Sequence, residues 1–167
     1  HWLPISDRND AKKEEYVIQL ESCTGIFITG GNQLRLSTIL GGTPIAKTIR
    51  KLNAQGVHVA GTSAGAAIVS QHMITGGNTG IVPTEDGVNL APGMGLINTI
   101  VVDQHFNERN RLSRLLSAVS YNPFLLGLGL DEDTAAFIDG DNEFTVVGSG
   151  AITAIDHSDI ELSSLAE

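Results

Sequence analysis

The chain has 167 residues, of which 41% are apolar and 17% are charged. These values are typical of a globular protein, and we expect one domain over residues 1–167. The formal net charge of −9 disfavours nucleic acid and anionic membranes as partners. No apolar run approaches the roughly 20 residues of a membrane-spanning helix, so we expect no membrane contact.

The cysteine content and the chain ends bear on the setting of the protein. Cys23 is the only cysteine, so no internal disulfide can form, and we expect a reducing, cytoplasmic location. No residues have metal-ligand spacing, and we predict neither a metal nor another cofactor. The chain begins at His1, without an initiator Met or a signal-peptide pattern, and ends at Glu167. We therefore expect a fragment of a longer α/β protein, truncated at both ends, which leaves an exported form open.

Strand-like and helix-like segments alternate along the first part of the chain. Helices are predicted over 10–20, with Asp7 or Asn9 as N-cap, from Pro44 to Gly56 with Thr43 as N-cap, over 64–71 and over 108–120. Strands are predicted at 25–29, 57–60, 99–103, 126–130, 135–138, 143–147 and 151–155, and 75–95 is a glycine-rich loop with room for a hairpin. This order predicts a mostly parallel, doubly wound sheet with helices on both faces and an antiparallel C-terminal extension.

The segment Gly-Thr-Ser-Ala-Gly at 61–65 lies between a predicted strand and a helix of small residues. This context is typical of a nucleophile elbow, a sharp turn that exposes a catalytic serine, here Ser63. The alternative is a plain strand-to-helix turn in which Ser63 caps the helix. In a hydrolase, the backbone N–H of Ala64 would bind the developing oxyanion. Gly30-Gly31 follows an earlier strand and is either a second oxyanion element or an ordinary turn.

A serine nucleophile needs a general base, and the chain has five histidines. His105 follows the strand at 99–103, and parallel sheets bind ligands at the carboxyl ends of their strands. The other four lie at the chain start, in the elbow strand, at the end of the elbow helix and in the acidic tail. His105 is therefore the predicted base, with a structural histidine as the alternative.

Three carboxylates, Asp131, Glu132 and Asp133, follow the strand at 126–130. One of them would orient the imidazole, and the residue types leave open which one. The chain order of serine, histidine and acid differs from that of the α/β-hydrolase fold. Arginines at 109, 111 and 114 follow His105. Helical spacing turns the last away from the apolar face, and we expect at least one to pair with Glu108 or with the acids at 131–133. A solvated basic helix face is the alternative.

Four segments resemble motifs of the cyanophycinase family. They are Thr-Gly-Gly-Asn-Gln at 29–33, Gly-Thr-Ser-Ala-Gly-Ala at 61–66, Asp-Gln-His-Phe at 103–106 with its trailing arginines, and Gly-Leu-Asp-Glu-Asp-Thr-Ala at 129–135. The third is the most specific, because it separates cyanophycinases from the related aspartyl dipeptidases. The resemblance implies a class I glutamine-amidotransferase-like fold of the dipeptidase E type and a homodimer. It also implies a serine exopeptidase that releases β-aspartyl-arginine dipeptides from cyanophycin, a polyaspartate carrying arginine on each side chain.

The resemblance also implies roles for individual residues. Ser63 would be the nucleophile, His105 the base and Glu132 the orienting acid, and Gly31 and Ala64 would form the oxyanion hole. The residues expected to line or brace the substrate site are Gln33, Asp103, Gln104, Arg109, Arg111 and Arg114.

The chain departs from the family pattern in two respects. Asn32 stands where the family usually has Asp. A full-length member also has roughly one further βαβ unit upstream and more strands downstream. The runner-up activity is that of a related β-aspartyl or acidic dipeptidase or isopeptidase. A non-catalytic binding module on the same fold is the alternative from another class.

Overall fold

The computed structural model describes residues 1–159 and 165. The rest of the predicted single domain, residues 160–164, 166 and 167, lies outside the described residues. None of the helices in the described part of the chain has the length and apolarity needed to span a bilayer.

The described residues form five α-helices: α1 (Glu14–Glu21), α2 (Gln33–Leu40), α3 (Pro44–Ala54), α4 (Ala64–Ala67) and α5 (Leu112–Tyr121). The predicted first helix is divided, because Lys13 is extended between a 3-10 turn at Asp10–Lys12 and α1. Of its two candidate caps, Asp7 accepts from the backbone N–H groups of Asn9 and Asp10, whereas Asn9 makes no side-chain cap bond. Thr43 caps α3 as predicted.

Three helix predictions differ from the structure. No helix was predicted between Gly31 and Thr43, yet α2 is present there and is capped by Asn32, whose Oδ1 accepts from the backbone N–H of Arg35 at 2.9 Å. The helix predicted over 64–71 is shorter in the structure, where α4 ends at Ala67. The Gln71 N–H bonds to the carbonyl of Ile97 instead of to a helical partner. The last helix begins at Leu112, because the segment after His105 turns before it becomes helical.

The strands are β1 (Gly25–Ile28), β2 (His58–Gly61), β3 (His72–Gly77), β4 (Val88–Pro92), β5 (Ile100–Gln104), β6 (Leu126–Leu130), β7 (Thr134–Ile138), β8 (Phe144–Gly148) and β9 (Ile152–Ile155). β1 pairs with β2 and β5 with β6, both in parallel. β9 joins β6 in antiparallel, and β7 with β8 forms a hairpin, so the antiparallel C-terminal extension is confirmed. The hairpin in the glycine-rich region is β3–β4.

Strand pairing in the described residues falls into four groups rather than one sheet. The protein is an α/β protein, but a continuous doubly wound sheet is not seen. Ser70, which follows α4, contacts β5 through its side chain, because its Oγ accepts from the backbone N–H of Val102 at 3.3 Å. A side chain thus takes a hydrogen bond that a neighbouring strand would take in a continuous sheet.

The core has two main parts. One is formed where α1 and α3 pack with Ile28, Ile68, Met73 and Met94. The other surrounds β5, because alternate residues of a strand face opposite sides of a sheet. Val101 packs with Leu115 of α5 on one face, and Ile100 and Val102 pack with Leu128 and Ala66 on the other. Packing on both faces therefore fixes β5 and its carboxyl end, which leads to His105.

Candidate active site

Ser63 lies on a strained turn between β2 and α4, with φ 53° and ψ −119°. A non-glycine residue in such a conformation costs about 1–3 kcal/mol, which the surrounding packing must offset. The flanking glycines show how tight that packing is. A Cβ on Gly61 would lie 2.1 Å from the carbonyl oxygen of Gly65, and one on Gly65 would lie 2.1 Å from that of Ile28. Because no larger residue fits at these two positions, the turn requires glycine on both sides of Ser63.

The Ser63 hydroxyl contacts the predicted base. Its Oγ lies 3.0 Å from Nε2 of His105, across 42 residues of sequence. Both residues have positive φ, which turns each side chain out of its own strand end toward the other. The serine is half-buried, and the histidine side chain is 25% exposed, so the pair is open to solvent.

The other ring nitrogen of His105 contacts one of the three candidate acids. Nδ1 lies 2.8 Å from Oε1 of Glu132. Asp131 instead accepts from the backbone N–H groups of Asn107 and Ala151. Asp133 accepts from the hydroxyl of Ser149 at 2.7 Å. The geometry therefore separates three carboxylates that the residue types alone left equivalent.

The two predicted oxyanion donors are Ala64, which follows Ser63 in the chain, and Gly31, which follows a glycine that packs against Ser63. Gly30 approaches it so closely that a Cβ there would be 3.1 Å from the Cβ of Ser63. Gly31 has φ 145°, a conformation that requires glycine, and Ala64 is the first residue of α4. Within residues 1–159 and 165, neither Gly31 nor Ala64 donates its backbone N–H to a protein acceptor. Because α4 has only four residues, the donors matter here more than any helix dipole.

Arg111 and Arg114 are buried and share one carboxylate, Asp103. Arg114 Nε donates to Asp103 Oδ2 at 2.6 Å, and Arg111 lies 3.4 Å from Oδ1. Arg111 also donates to the carbonyl and to the side-chain oxygen of Gln104. Burial, and then the charge of Arg114, lower the pKa of Arg111, while Asp103 opposes them. We call these four residues the ion network; it carries one more positive than negative charge.

The structure corrects the arginine predictions. Arg114 does not point away from the apolar face of α5, since it is 5% exposed and its side chain bonds to Asp103 of β5. The partner of the buried pair is Asp103 rather than Glu108 or the acids at 131–133. Arg109 and Arg111 precede α5, so helical spacing does not relate them. A signal was available: Asp103 lies in a run of buried strand residues, where an isolated carboxylate needs charged partners.

The last two predicted substrate residues lie apart from the ion network. Arg109 is exposed on the turn after His105, and its side chain has no ion pair among the described residues. Gln33 is half-buried at the first position of α2, two residues after Gly31. Asn32 caps that helix, and Asn and Asp cap helices equally well, which explains physically why the departure from the family pattern is mild.

No group of three or more histidine, cysteine or acidic side chains in the described ranges has the arrangement of a metal site. What the residues do form is a hydrogen-bonded chain of serine, histidine and glutamate at the carboxyl ends of two parallel strand pairs. In an α/β protein this arrangement is typical of hydrolases that use a serine as the nucleophile. Residues 4–146 match peptidase family S51. The chain belongs to this family.

Several curated relatives are cyanophycinases. The chain is 44% identical over 159 residues to the cyanophycinase of Nostoc sp., covering 95% of this chain and 53% of the relative. It is 44% identical over 165 residues to that of Thermosynechococcus vestitus, covering 98% and 51%, and 46% identical over 155 residues to that of Geminocystis herdmanii, covering 92% and 57%. The chain thus spans about half the length of the curated relatives it matches.

Two solved structures share the fold. A peptidase from an acI-B1 Actinobacterium superposes with a TM-score of 0.72 at 27% identity, over 93% of this chain and 62% of that chain. A putative peptidase E from Listeria monocytogenes EGD-e superposes with a TM-score of 0.57 at 24% identity, over 84% and 69%, and supports the fold alone.

Proposed function

We propose that the protein is a serine exopeptidase that hydrolyses cyanophycin to β-aspartyl-arginine dipeptides. The observation that carries the proposal is the chain of contacts from Ser63 through His105 to Glu132, with distances of 3.0 and 2.8 Å. The family supports peptidase chemistry, and relatives about 44% identical are cyanophycinases.

The three residues divide the chemistry between them. His105 Nε2 takes the proton of the Ser63 hydroxyl as Oγ attacks the scissile carbonyl, and it returns the proton to the leaving amine. Glu132 accepts from Nδ1 of His105, which holds the ring orientation and stabilises the imidazolium that forms. Attack produces an acyl-enzyme at Ser63. A water molecule, deprotonated in turn by His105, then attacks the acyl carbonyl, and His105 returns the proton to Oγ of Ser63 as the ester bond breaks and the acyl product leaves.

The oxyanion hole would be formed by the backbone N–H groups of Ala64 and Gly31. Both are without a protein acceptor in the described residues; Ala64 follows Ser63 in the chain, and Gly31 follows Gly30, which packs against Ser63. Donors fixed by the backbone stabilise developing charge without reorganisation during the reaction, and one such donor is worth about 10²–10³ in kcat.

We propose that the substrate-site residues have two different tasks. Arg109 and Gln33 are accessible, and Arg109 would bind a free α-carboxylate of the substrate. Asp103, Gln104, Arg111 and Arg114 are buried and would brace the end of β5 that leads to His105. The excess positive charge of the ion network adds to the attraction for a carboxylate, while the overall charge of −9 attracts the arginine heads.

We also propose the finer features of fold and setting. The two parallel pairs would belong to one doubly wound sheet of the dipeptidase E type, since the residues that follow β2 and β5 meet at a single site. A homodimer and a cytoplasmic location are further proposals, supported by the family resemblance and by the single cysteine. Light scattering on the purified protein tests the dimer.

The substrate is tested by offering insoluble cyanophycin and short β-aspartyl-arginine peptides and analysing the products by mass spectrometry. The proposal expects dipeptide release from both, with the Ser63→Ala variant reduced about 10⁴-fold or more. Ser22→Ala, an exposed serine on another surface, is the matched control. Release from the short peptides alone would identify a dipeptidase or isopeptidase instead. Unchanged turnover in Ser63→Ala would favour a binding module whose apparent activity comes from a contaminant.

A further inference from the structure

Two loops leave the ends of β5 and β6 side by side. We call residues 105–108 the histidine loop and residues 131–133 the acid loop. Gln104 and Leu130 are partners in the parallel register, and the Phe106 N–H donates to the Leu130 carbonyl at 3.0 Å. The contact between His105 and Glu132 bridges these loops, so its geometry depends on how the loops are held together.

Each loop provides a carboxylate for a backbone N–H of the other. Oε1 of Glu108, in the histidine loop, accepts from the N–H of Glu132 at 3.0 Å. Oδ1 of Asp131, in the acid loop, accepts from the N–H of Asn107 at 3.1 Å. Hydrogen bonds to an ionised acceptor are shorter and stronger than neutral ones. We call this reciprocal pair of bonds the carboxylate clip.

The two carboxylates of the clip differ in the number of further hydrogen bonds that they make. Oδ2 of Asp131 accepts from the N–H of Ala151 at 3.2 Å, and the Asp131 N–H donates to the Ala151 carbonyl at 3.2 Å. Asp131 thereby fixes the acid loop to the start of β9. Glu108 is exposed, and within the described residues its carboxylate makes no other hydrogen bond. That hydrogen bond is with the backbone of Glu132, the acid proposed to orient His105.

The side chain of Glu132 needs such support. It is 56% exposed, so packing does not restrict its rotamers, yet its carboxylate lies 2.8 Å from His105. A long exposed side chain is held at a fixed position most readily when its own backbone is fixed. We infer that Glu108 and Asp131 are positioning residues, which align Glu132 with His105 by clipping the two loops together. This inference rests on the proposed function, because it assumes that the triad is the catalytic unit.

The experiment compares Glu108→Ala with Glu108→Gln. The amide oxygen of glutamine can still accept from the Glu132 N–H, whereas alanine leaves that N–H to water. We expect Glu108→Ala to lower kcat about 10-fold with KM within about twofold, because misalignment affects the chemical step more than binding. Glu108→Gln should recover most of the lost kcat. Glu143→Ala, which removes another exposed glutamate on the β7–β8 turn, is the matched control.

Hydrogen exchange and thermal unfolding separate positioning from general stabilisation. The backbone amide of Glu132 should exchange faster in Glu108→Ala and remain protected in Glu108→Gln, while the midpoint of thermal unfolding stays near that of the parent in both. Asp131→Asn provides a second variant. Its single acceptor oxygen cannot serve both Asn107 and Ala151, so it should lose kcat and also some stability.

The outcomes distinguish this inference from the proposed function. If Glu132→Gln abolishes turnover while Glu108→Ala keeps the parental kcat, the triad stands and the carboxylate clip is rejected. Equal drops in kcat and in unfolding midpoint for Glu108→Ala and Glu108→Gln would likewise reject it, since the lost negative charge, rather than the lost acceptor, would then be what matters. Full turnover in Glu132→Gln would overturn the proposed function, and the carboxylate clip with it.

Discussion

The two halves of the candidate site are held in place by different forces. All five residues of β5, which leads to His105, are buried, whereas none of the four residues of β2, which leads to Ser63, is buried. On the histidine side, buried charges and loop-to-loop hydrogen bonds fix the geometry. On the serine side, close backbone contacts at glycines and a strained turn do so. Substitutions should therefore act through charge on one side and through volume on the other.

The largest effect is expected at the centre of the ion network. Asp103→Ala leaves Arg111 and Arg114 buried without a negative partner, which typically costs about 3–5 kcal/mol. Urea unfolding followed by circular dichroism measures the loss. Asp103→Asn keeps the volume and one acceptor, so a similar loss would assign the effect to charge. If both variants unfold with free energies within about 1 kcal/mol of the parent, the loss is no larger than that of one ordinary hydrogen bond. That result would contradict the view that buried charges fix the histidine side.

On the serine side the corresponding test adds one methyl group. The Cβ of Gly65→Ala would lie 2.1 Å from the carbonyl oxygen of Ile28 and 2.8 Å from that of Thr29. Both are backbone atoms, so β1 and α4 must separate, at a cost of about 1–3 kcal/mol or more. Activity should fall further than stability, because Ser63 lies on this turn.

A matched glycine controls for the intrinsic effect of the substitution. Gly140, on the β7–β8 turn, has nothing within 4 Å of its Cβ position and no positive φ. Gly140→Ala should change the unfolding free energy by less than about 0.5 kcal/mol. Equal effects for the two alanine variants would refute the view that volume fixes the serine side.

A smaller effect is expected at the helix cap that follows Gly30 and Gly31 in the chain. Asn32→Ala removes the acceptor of the Arg35 N–H, and loss of an N-cap typically costs about 1 kcal/mol. Asn32→Asp should leave stability within a few tenths of a kcal/mol, as asparagine and aspartate cap equally well. Chemical denaturation of the three proteins side by side is the measurement. A loss in Asn32→Asp as large as in Asn32→Ala would show that more than capping is involved.

The smallest effect concerns a surface charge on the serine side. A hydrogen bond from Lys13, and then those from the N–H groups of Ser6 and Asp7, lower the pKa of Asp10. A carboxyl whose folded pKa is depressed contributes stability above its ordinary pKa and loses it as pH falls through the folded value. Asp10→Asn should therefore be slightly less stable than the parent at neutral pH. The two proteins should converge when thermal unfolding is repeated in acid; a gap that persists there would contradict this linkage.

Much of the serine side follows from its sequence. Gly61, Ser63 and Gly65 occur at the spacing that a tight strand-to-helix turn requires, and the structure has that turn. The length of the helix did not follow, because α4 ends at Ala67 and the Gln71 N–H bonds to Ile97 in a distant segment instead of within a longer helix. Local propensity cannot predict a hydrogen bond made across 26 residues. For the same reason the sequence did not predict that the strands pair in four separate groups.

On the histidine side the sequence identified the residues but not their arrangement. His105 was distinguished by its position after a buried strand, whereas the choice among three consecutive acids needed either family resemblance or coordinates. The pairing of Asp103 with both arginines was missed, because one helical projection was applied to all three arginines, although Arg111 precedes α5 and only Arg114 lies within it. The reciprocal bonds of Glu108 and Asp131 were beyond sequence reasoning, since they depend on the register of β5 and β6.

The most direct measurement treats the protein with a fluorophosphonate reagent and locates the adduct by peptide mass mapping. Nucleophilic chemistry at the strained turn predicts one stoichiometric adduct, on Ser63, that forms far more slowly in His105→Ala. An unmodified Ser63, or labelling there at the same rate without the imidazole, would contradict the account.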